Sequence, residues 1–217
     1  MIHHHPSPEI LSNYARGGLP AGMSLVVSCH VHGCEACRRE VAVWESAGGL
    51  MLLGSEPVPL AEGALTRALE RIDGRTVGES KAPGKLPGFL ERFAVPAPLA
   101  GQHIGSRLWL TPSIWIAPIK SNLKSPSRTY LVYAERNTAL PEHTHRGREF
   151  TSVLYGSFRD GSGVFGKGDF EEADDDISHA PAVTAESECL CVISADAPMS
   201  LHGRVARMIQ ALAGNRY

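Results

Sequence analysis

Two groups of residues in this 217-residue chain have the types and spacing needed to hold a metal ion, and their chemistry differs. The first is sulfur-rich: His30-Val-His-Gly-Cys34-Glu-Ala-Cys37. The second offers nitrogen and oxygen more than a hundred residues later: His143-Thr-His145-Arg-Gly-Arg-Glu149. A Cys/His set usually closes a tetrahedral structural zinc site, whereas a His/His/Glu set more often keeps an exchangeable position for catalysis or sensing.

On a helix, His30, Cys34 and Cys37 fall at i, i+4 and i+7, which is one face. His32 lies about 200° around from His30, on the opposite side. Gly33 interrupts the helical pattern, so His32 and Cys29 stay as weaker candidates. A fourth ligand is still needed. The run His3-His4-His5 supplies one, and His5 is nearest to the first helix and best anchored by it. The alternatives are that the His run is a disordered tail or cloning remnant, and that Cys34 and Cys37 are buried thiols without metal.

In the second group His143 and His145 alternate with Thr144, so on a strand both imidazoles face one side. With Glu149 and Gly156 they spell His-x-His-x3-Glu-x6-Gly, which resembles the first metal motif of the cupin barrel. That family has a Gly six residues before the first His. Asn137 stands there instead, and Asn also tolerates a left-handed backbone. A fourth ligand from the second cupin motif is matched loosely by Gly168-Asp169 followed by His179. The usual Pro-x-Gly is replaced by Asp174-Asp175-Asp176, and a surface histidine is the alternative reading. Cys189 and Cys191 are two apart on a strand and point to one face. They read as small buried residues or, alternatively, as a redox-sensitive thiol pair. His103 and His202 have no partners in sequence and read as structural.

These groups need elements to carry them. Apolar spacing predicts helices over the first ~75 residues. Ser7-Pro8-Glu9 starts the first, with Ile10, Leu11 and Tyr14 as its stripe and Gly17-Gly18 as its stop. The second runs from about Ala21 to His32. The third starts near Cys34 and ends at Gly48-Gly49. The fourth covers about Leu60 to Ile72, with Leu65, Leu69 and Ile72 on one face. Residues 74–100 are rich in Pro, Gly and Lys and read as an interdomain linker. From Gly101 the alternation becomes β, with strands at 129–134, 150–155 and 189–193 and a turn-rich connection after Gly156. This predicts a sandwich or barrel. The expected architecture is a small all-α zinc-binding bundle over 1–73, the 74–100 linker, and an all-β cupin (jelly-roll) domain over 101–217.

Composition narrows the function classes. Hydrophobic residues make up 43% and charged residues 20%, with a net charge of -2. Residues 1–73 hold five Arg and no Lys against eight Asp or Glu, so a direct DNA-binding face is not expected there. No apolar run approaches the ~18 residues of a membrane span. There is no secretory-signal pattern. Five cysteines, two of them as Cys-x-x-Cys, fit a reducing compartment, and the expected location is cytoplasmic.

Along nearly its whole length the chain resembles the ChrR-type zinc anti-sigma factors. The matching pieces begin with His5-x-Ser7, Leu11, Tyr14-Ala-x-Gly17 and His30-x3-Cys34-x2-Cys37-Arg38. They continue with Pro141-x-His143-x-His145-Arg-Gly-x-Glu149, Gly156-x-Phe-Arg-Asp160, His179, Cys189-x-Cys191 and Asp196-Ala-Pro198. The resemblance implies an N-terminal domain that binds an extracytoplasmic-function sigma factor and a cupin domain that senses singlet oxygen or peroxide stress. It also implies two zinc ions, one held by His5, His30, Cys34 and Cys37 and one by His143, His145, Glu149 and His179. The competing expectation is a cupin metalloenzyme, an iron-dependent dioxygenase or isomerase with a zinc-binding accessory module. The same three-His-one-Glu site serves both classes.

Overall fold

The computed structural model describes residues 1–73, 86–120, 128–144, 147–174, 178–196 and 200–201. Helix α1 (Pro8–Ala15) begins where expected: Ser7 Oγ accepts from the Ile10 N–H at 3.4 Å. Helices α2 (Ala21–Gly33) and α3 (Glu35–Leu53) follow with Cys34 between them in extended backbone, φ -107° and ψ 109°. His30, Cys34 and Cys37 therefore do not share a single helix. They sit at a junction of two, and Arg38 Nη1 caps the end of α2 by donating to the Val31 and His32 carbonyls at 3.2 and 2.7 Å. Helix α3 also runs through Gly48-Gly49 instead of stopping there. Both glycines face open space, and the strong helix formers Leu50, Met51, Leu52 and Leu53 carry the helix on.

Helix α4 (Ala64–Asp73) forms but buries no residue. The expected four-helix core is thus made by α1, α2 and the first turns of α3. What completes that core is the second half of the chain.

The sequence predicts a linker at 74–100. Residues 74–85 lie outside the described residues, while 86–100 pack inward. A single turn at Gly88–Leu90 and the short helix α5 (Ala97–Ala100) place Leu90 and Leu99 at 0% exposure and Phe93 at 5%. In this stretch proline and glycine shape tight turns around apolar side chains. Arg92 lies 4.6 Å over the Phe93 ring and pairs with Glu188 at 3.2 Å.

The strands are β1 (His103–Ile104), β2 (Leu108–Thr111), β3 (Ile114–Lys120), β4 (Arg128–Ala134), β5 (His143–Thr144), β6 (Glu149–Tyr155) and β7 (Ser157–Asp160). They continue as β8 (Gly163–Gly166), β9 (Phe170–Ala173), β10 (Ser178–His179), β11 (Ala182–Val183), β12 (Cys189–Ala195) and β13 (Ser200–Leu201). The large antiparallel sheet has the order β1-β3-β4-β12-β6-β9, with β2 also on β3. Two small sheets, β10-β5-β13 and β11-β7-β8, lie across from it. The segment after Gly156, expected as a turn-rich connection, is a hairpin of β7 and β8, closed by the stacked rings of Phe158 and Phe165 at 5.1 Å.

Strand alternation divides the large sheet into two surfaces. Leu131, Tyr133, Phe150, Leu154, Phe170, Leu190 and Val192 face the helices. There they pack with Met23, Val26 and Val27 of α2, each fully buried and contributing about 1.5–3 kcal/mol. Val132, Ala134, Glu149, Thr151, Glu171, Cys189 and Cys191 face the other way, into a cavity of about 160 Å³ between the sheets. Gly156 makes the β6–β7 corner: its φ is 71°, and a Cβ there would collide with the Glu188 carbonyl oxygen. Asn137 takes φ 58°, the left-handed conformation its residue type tolerates.

Candidate metal centre

His5, His30, Cys34 and Cys37 come together at the α2–α3 junction. Their donor atoms all lie within 4.8 Å of one another, and among the described residues no other group of three or more His, Cys, Asp or Glu does so. His30 Nε2 is 3.2 Å from Cys37 Sγ, and His5 Nδ1 is 3.4 Å from the sulfurs of both Cys34 and Cys37. Nitrogen and sulfur ligands on a tetrahedral zinc are separated by about 3.5 Å, from bonds of roughly 2.0 and 2.3 Å. Donor type, number and spacing therefore fit one tetrahedral ion. His30, Cys34 and Cys37 are buried, and His5 is the exposed member.

The protonation states suit a ligand set. His30 Nδ1–H donates to the Gly168 carbonyl at 2.8 Å, which leaves the lone pair on Nε2, facing Cys37. Burial lowers His30 to about 4, against the opposing pull of the Gly168 carbonyl, so the ring is neutral at pH 7. Burial, reinforced by the neighbouring Cys34 thiol, pushes Cys37 up to about 12. A bound cation reverses that preference and makes the thiolate the stable form. Cys29 is buried, pushed up to about 12 by burial, and outside the group, as is the exposed His32.

The His run is not left as a loose tail. Asp169 Oδ1 accepts from the His3 and His4 N–H groups at 2.7 and 3.0 Å, and the His4 ring packs on Phe165 at 4.4 Å. Asp169 and Gly168 are participants the sequence reading missed in this role. It placed the pair in the second cupin motif, and only the tertiary fold brings them to the N-terminus.

At the cavity, His143 is buried on β5, and its Nδ1–H donates to the Pro141 carbonyl at 2.7 Å, fixing the lone pair on Nε2. Glu149 is buried on β6 and burial pushes it up to about 8. The backbone of His179 stands directly across from His143 in the β10–β5 register. His145 lies outside the described residues, as does His202. Glu171, which sequence reading passed over, also lines the cavity, raised to about 8 by burial and then by Asp160 and Glu149. Cys189 and Cys191 line the same wall. His103 is exposed on the edge strand β1.

Comparison with known proteins follows this division. Residues 107–197 match the ChrR cupin-like domain. That makes the β half a cupin domain of a particular kind. The whole chain is 32% identical, over 213 residues, to anti-sigma-E factor ChrR of Cereibacter sphaeroides, covering 96% of this chain and 97% of that protein. It is also similar to a chain in the crystal structure of Rhodobacter sphaeroides SigE in complex with the anti-sigma ChrR. The TM-score is 0.73 at 30% identity, covering 90% of this chain and 100% of that one. The chain belongs to the ChrR family of anti-sigma factors.

Proposed function

We propose that this chain is an anti-sigma factor that binds and inhibits a sigma factor of the extracytoplasmic-function class. The observation that carries the reading is an apolar surface with no partner among the described residues. Leu50, Met51, Leu52 and Leu53 on α3 are 70 to 83% exposed, and Leu65, Leu69 and Ile72 on α4 are 51 to 68% exposed. An amphipathic helix that buries nothing in its own chain is built to bury that face elsewhere. The structurally similar relative was crystallised with its sigma factor, SigE, which supports a partner of that kind.

In this reading residues 1–73 form the sigma-binding part and 101–217 the sensory cupin. Two zinc ions are bound, one by His5, His30, Cys34 and Cys37 and one by His143, His145, Glu149 and His179. The cupin responds to an oxidative stress such as singlet oxygen or peroxide by favouring a state with lower sigma affinity. The place of action is the cytoplasm, where sigma factors meet RNA polymerase. No helix among the described residues is long and apolar enough to cross a membrane.

The test is capture of the co-expressed sigma factor. The wild-type chain should retain it, and Leu65→Glu with Leu69→Glu should lose it while keeping its metal. Undiminished capture by the double variant would remove α4 from the interface. Metal analysis should find two zinc ions per chain. Iron at the cavity together with oxygen uptake abolished by Glu149→Ala would favour a dioxygenase instead.

A further inference from the structure

We propose that the turn between β8 and β9, Gly168-Asp169-Phe170, positions two of the four ligands of the N-terminal metal site, so that the cupin barrel controls how tightly that metal is held. The inference rests on reading His5, His30, Cys34 and Cys37 as a metal site. The turn reaches His30 directly. The Gly168 carbonyl accepts from Nδ1–H at 2.8 Å, and the Phe170 ring meets the imidazole edge-on, with centroids 5.8 Å apart. It reaches His5 through the residues before it. Asp169 Oδ1 holds the His3 and His4 N–H groups at 2.7 and 3.0 Å, and the Phe170 N–H donates to the His4 carbonyl at 3.1 Å. His4 Nε2 lies 3.2 Å from the Val164 carbonyl. Ile2 fits against Gly168 so closely that a Cβ there would lie 2.8 Å from it.

Asp169 also braces its own turn, since its Oδ2 accepts from the Gly166 N–H at 2.8 Å. His5 is the exposed ligand and stands ahead of α1, so this hold on residues 2–4 is what gives it a fixed place. Partners that orient metal ligands from behind are worth about 10- to 100-fold in metal affinity. The same strand reaches the cavity. On β9, Phe170 faces His30 and the next residue, Glu171, lines the cavity beside Glu149. A change there that shifts β9 moves the carbonyl and carboxylate that orient His30 and His5. By reciprocity, metal at the helices favours the docked position of the turn.

The test uses the full-length chain loaded with cobalt(II), followed by its thiolate-to-metal absorption during chelator titration. The double variant Cys34→Ser, Cys37→Ser defines zero signal. Asp169→Asn and Gly168→Ala should surrender the band at about 10-fold lower chelator concentration than wild type, with an altered d–d spectrum. Leu131→Ala, which opens the same core away from the turn, should titrate like wild type. Equal titration of wild type, Asp169→Asn and Gly168→Ala would overturn the inference while leaving the metal site intact. Equal loss in Leu131→Ala would also overturn it, as general loosening. A wild-type chain with no thiolate band would instead overturn the metal reading beneath it.

Discussion

The sulfur atoms of Cys189 and Cys191 stand 3.6 Å apart on the cavity face of β12. Both residues are buried, and the neighbouring Cys189 thiol, then burial, push Cys191 well above the usual thiol range. Because the thiolate is the reactive form, iodoacetamide should leave the pair unmodified in the native chain over a time that fully labels it in denaturant. Native labelling as fast as denatured labelling would mark the pair as an exposed, reactive dithiol.

Removing the N-terminal metal should loosen only part of the helical region. Cys37→Ser should lose one metal ion per chain and raise amide exchange in residues 3–7 and 35–41. Helix α2 should stay protected, because Met23, Val26 and Val27 are held by the sheet. Cys29→Ala should retain full metal content, since Cys29 is not among the clustered donors. Exchange spreading through all of α2 would show that metal, not packing, holds it.

Stability should separate the two kinds of leucine. Leu99 is fully buried, so Leu99→Ala should cost about 2–5 kcal/mol. Leu69 is 51% exposed on a helix that buries nothing, so Leu69→Ala should change stability by less than about 0.5 kcal/mol. Urea melts of the two variants check this, and similar losses would mean that α4 packs on the chain in solution.

Acid should weaken the hold of Asp169. Burial pushes its carboxyl up, but the His4, His3 and Gly166 N–H groups outweigh that and keep it below the usual carboxylate range. A depressed carboxyl stabilises the fold above its unfolded value, about 3.9, and that contribution is lost as pH falls through the lower folded value. Melting points of wild type and Asp169→Asn should therefore differ at neutral pH and converge below about pH 4. A gap unchanged into that acid range would contradict this account.

Gly156→Ala should destabilise sharply. The left-handed backbone alone costs a side-chain residue about 1–2 kcal/mol, and the clash with the Glu188 carbonyl adds to it. A variant melting within a degree of wild type would show that the β6–β7 corner relaxes freely.

Local signals were legible wherever local physics governs. Ser7 and Pro8 start α1, and the alternation of β4, β6 and β12 matches the strands read from sequence. Asn137 adopts the left-handed backbone its type allows. His5 could be chosen from the His run because helix α1 follows it at once. The break between the second and third helices near Cys34 is legible from Gly33, while the i, i+4, i+7 spacing of His30, Cys34 and Cys37 looks the same whether one helix carries them or two meet there. Leu90, Phe93 and Leu99 were hidden by their proline and glycine neighbours, which mark tight turns as readily as spacers. Gly168 and Asp169 were beyond reach, since nothing local relates them to His30, 138 positions away.

The apolar interior runs without a break from α1 and α2, through the turns at 86–100, into the outer face of the large sheet. Covalent continuity through residues 74–85 is therefore not what keeps the helices on the barrel. A chain cleaved at a protease site engineered there should still migrate as one species. The two halves, produced apart and mixed, should complement each other and reassemble.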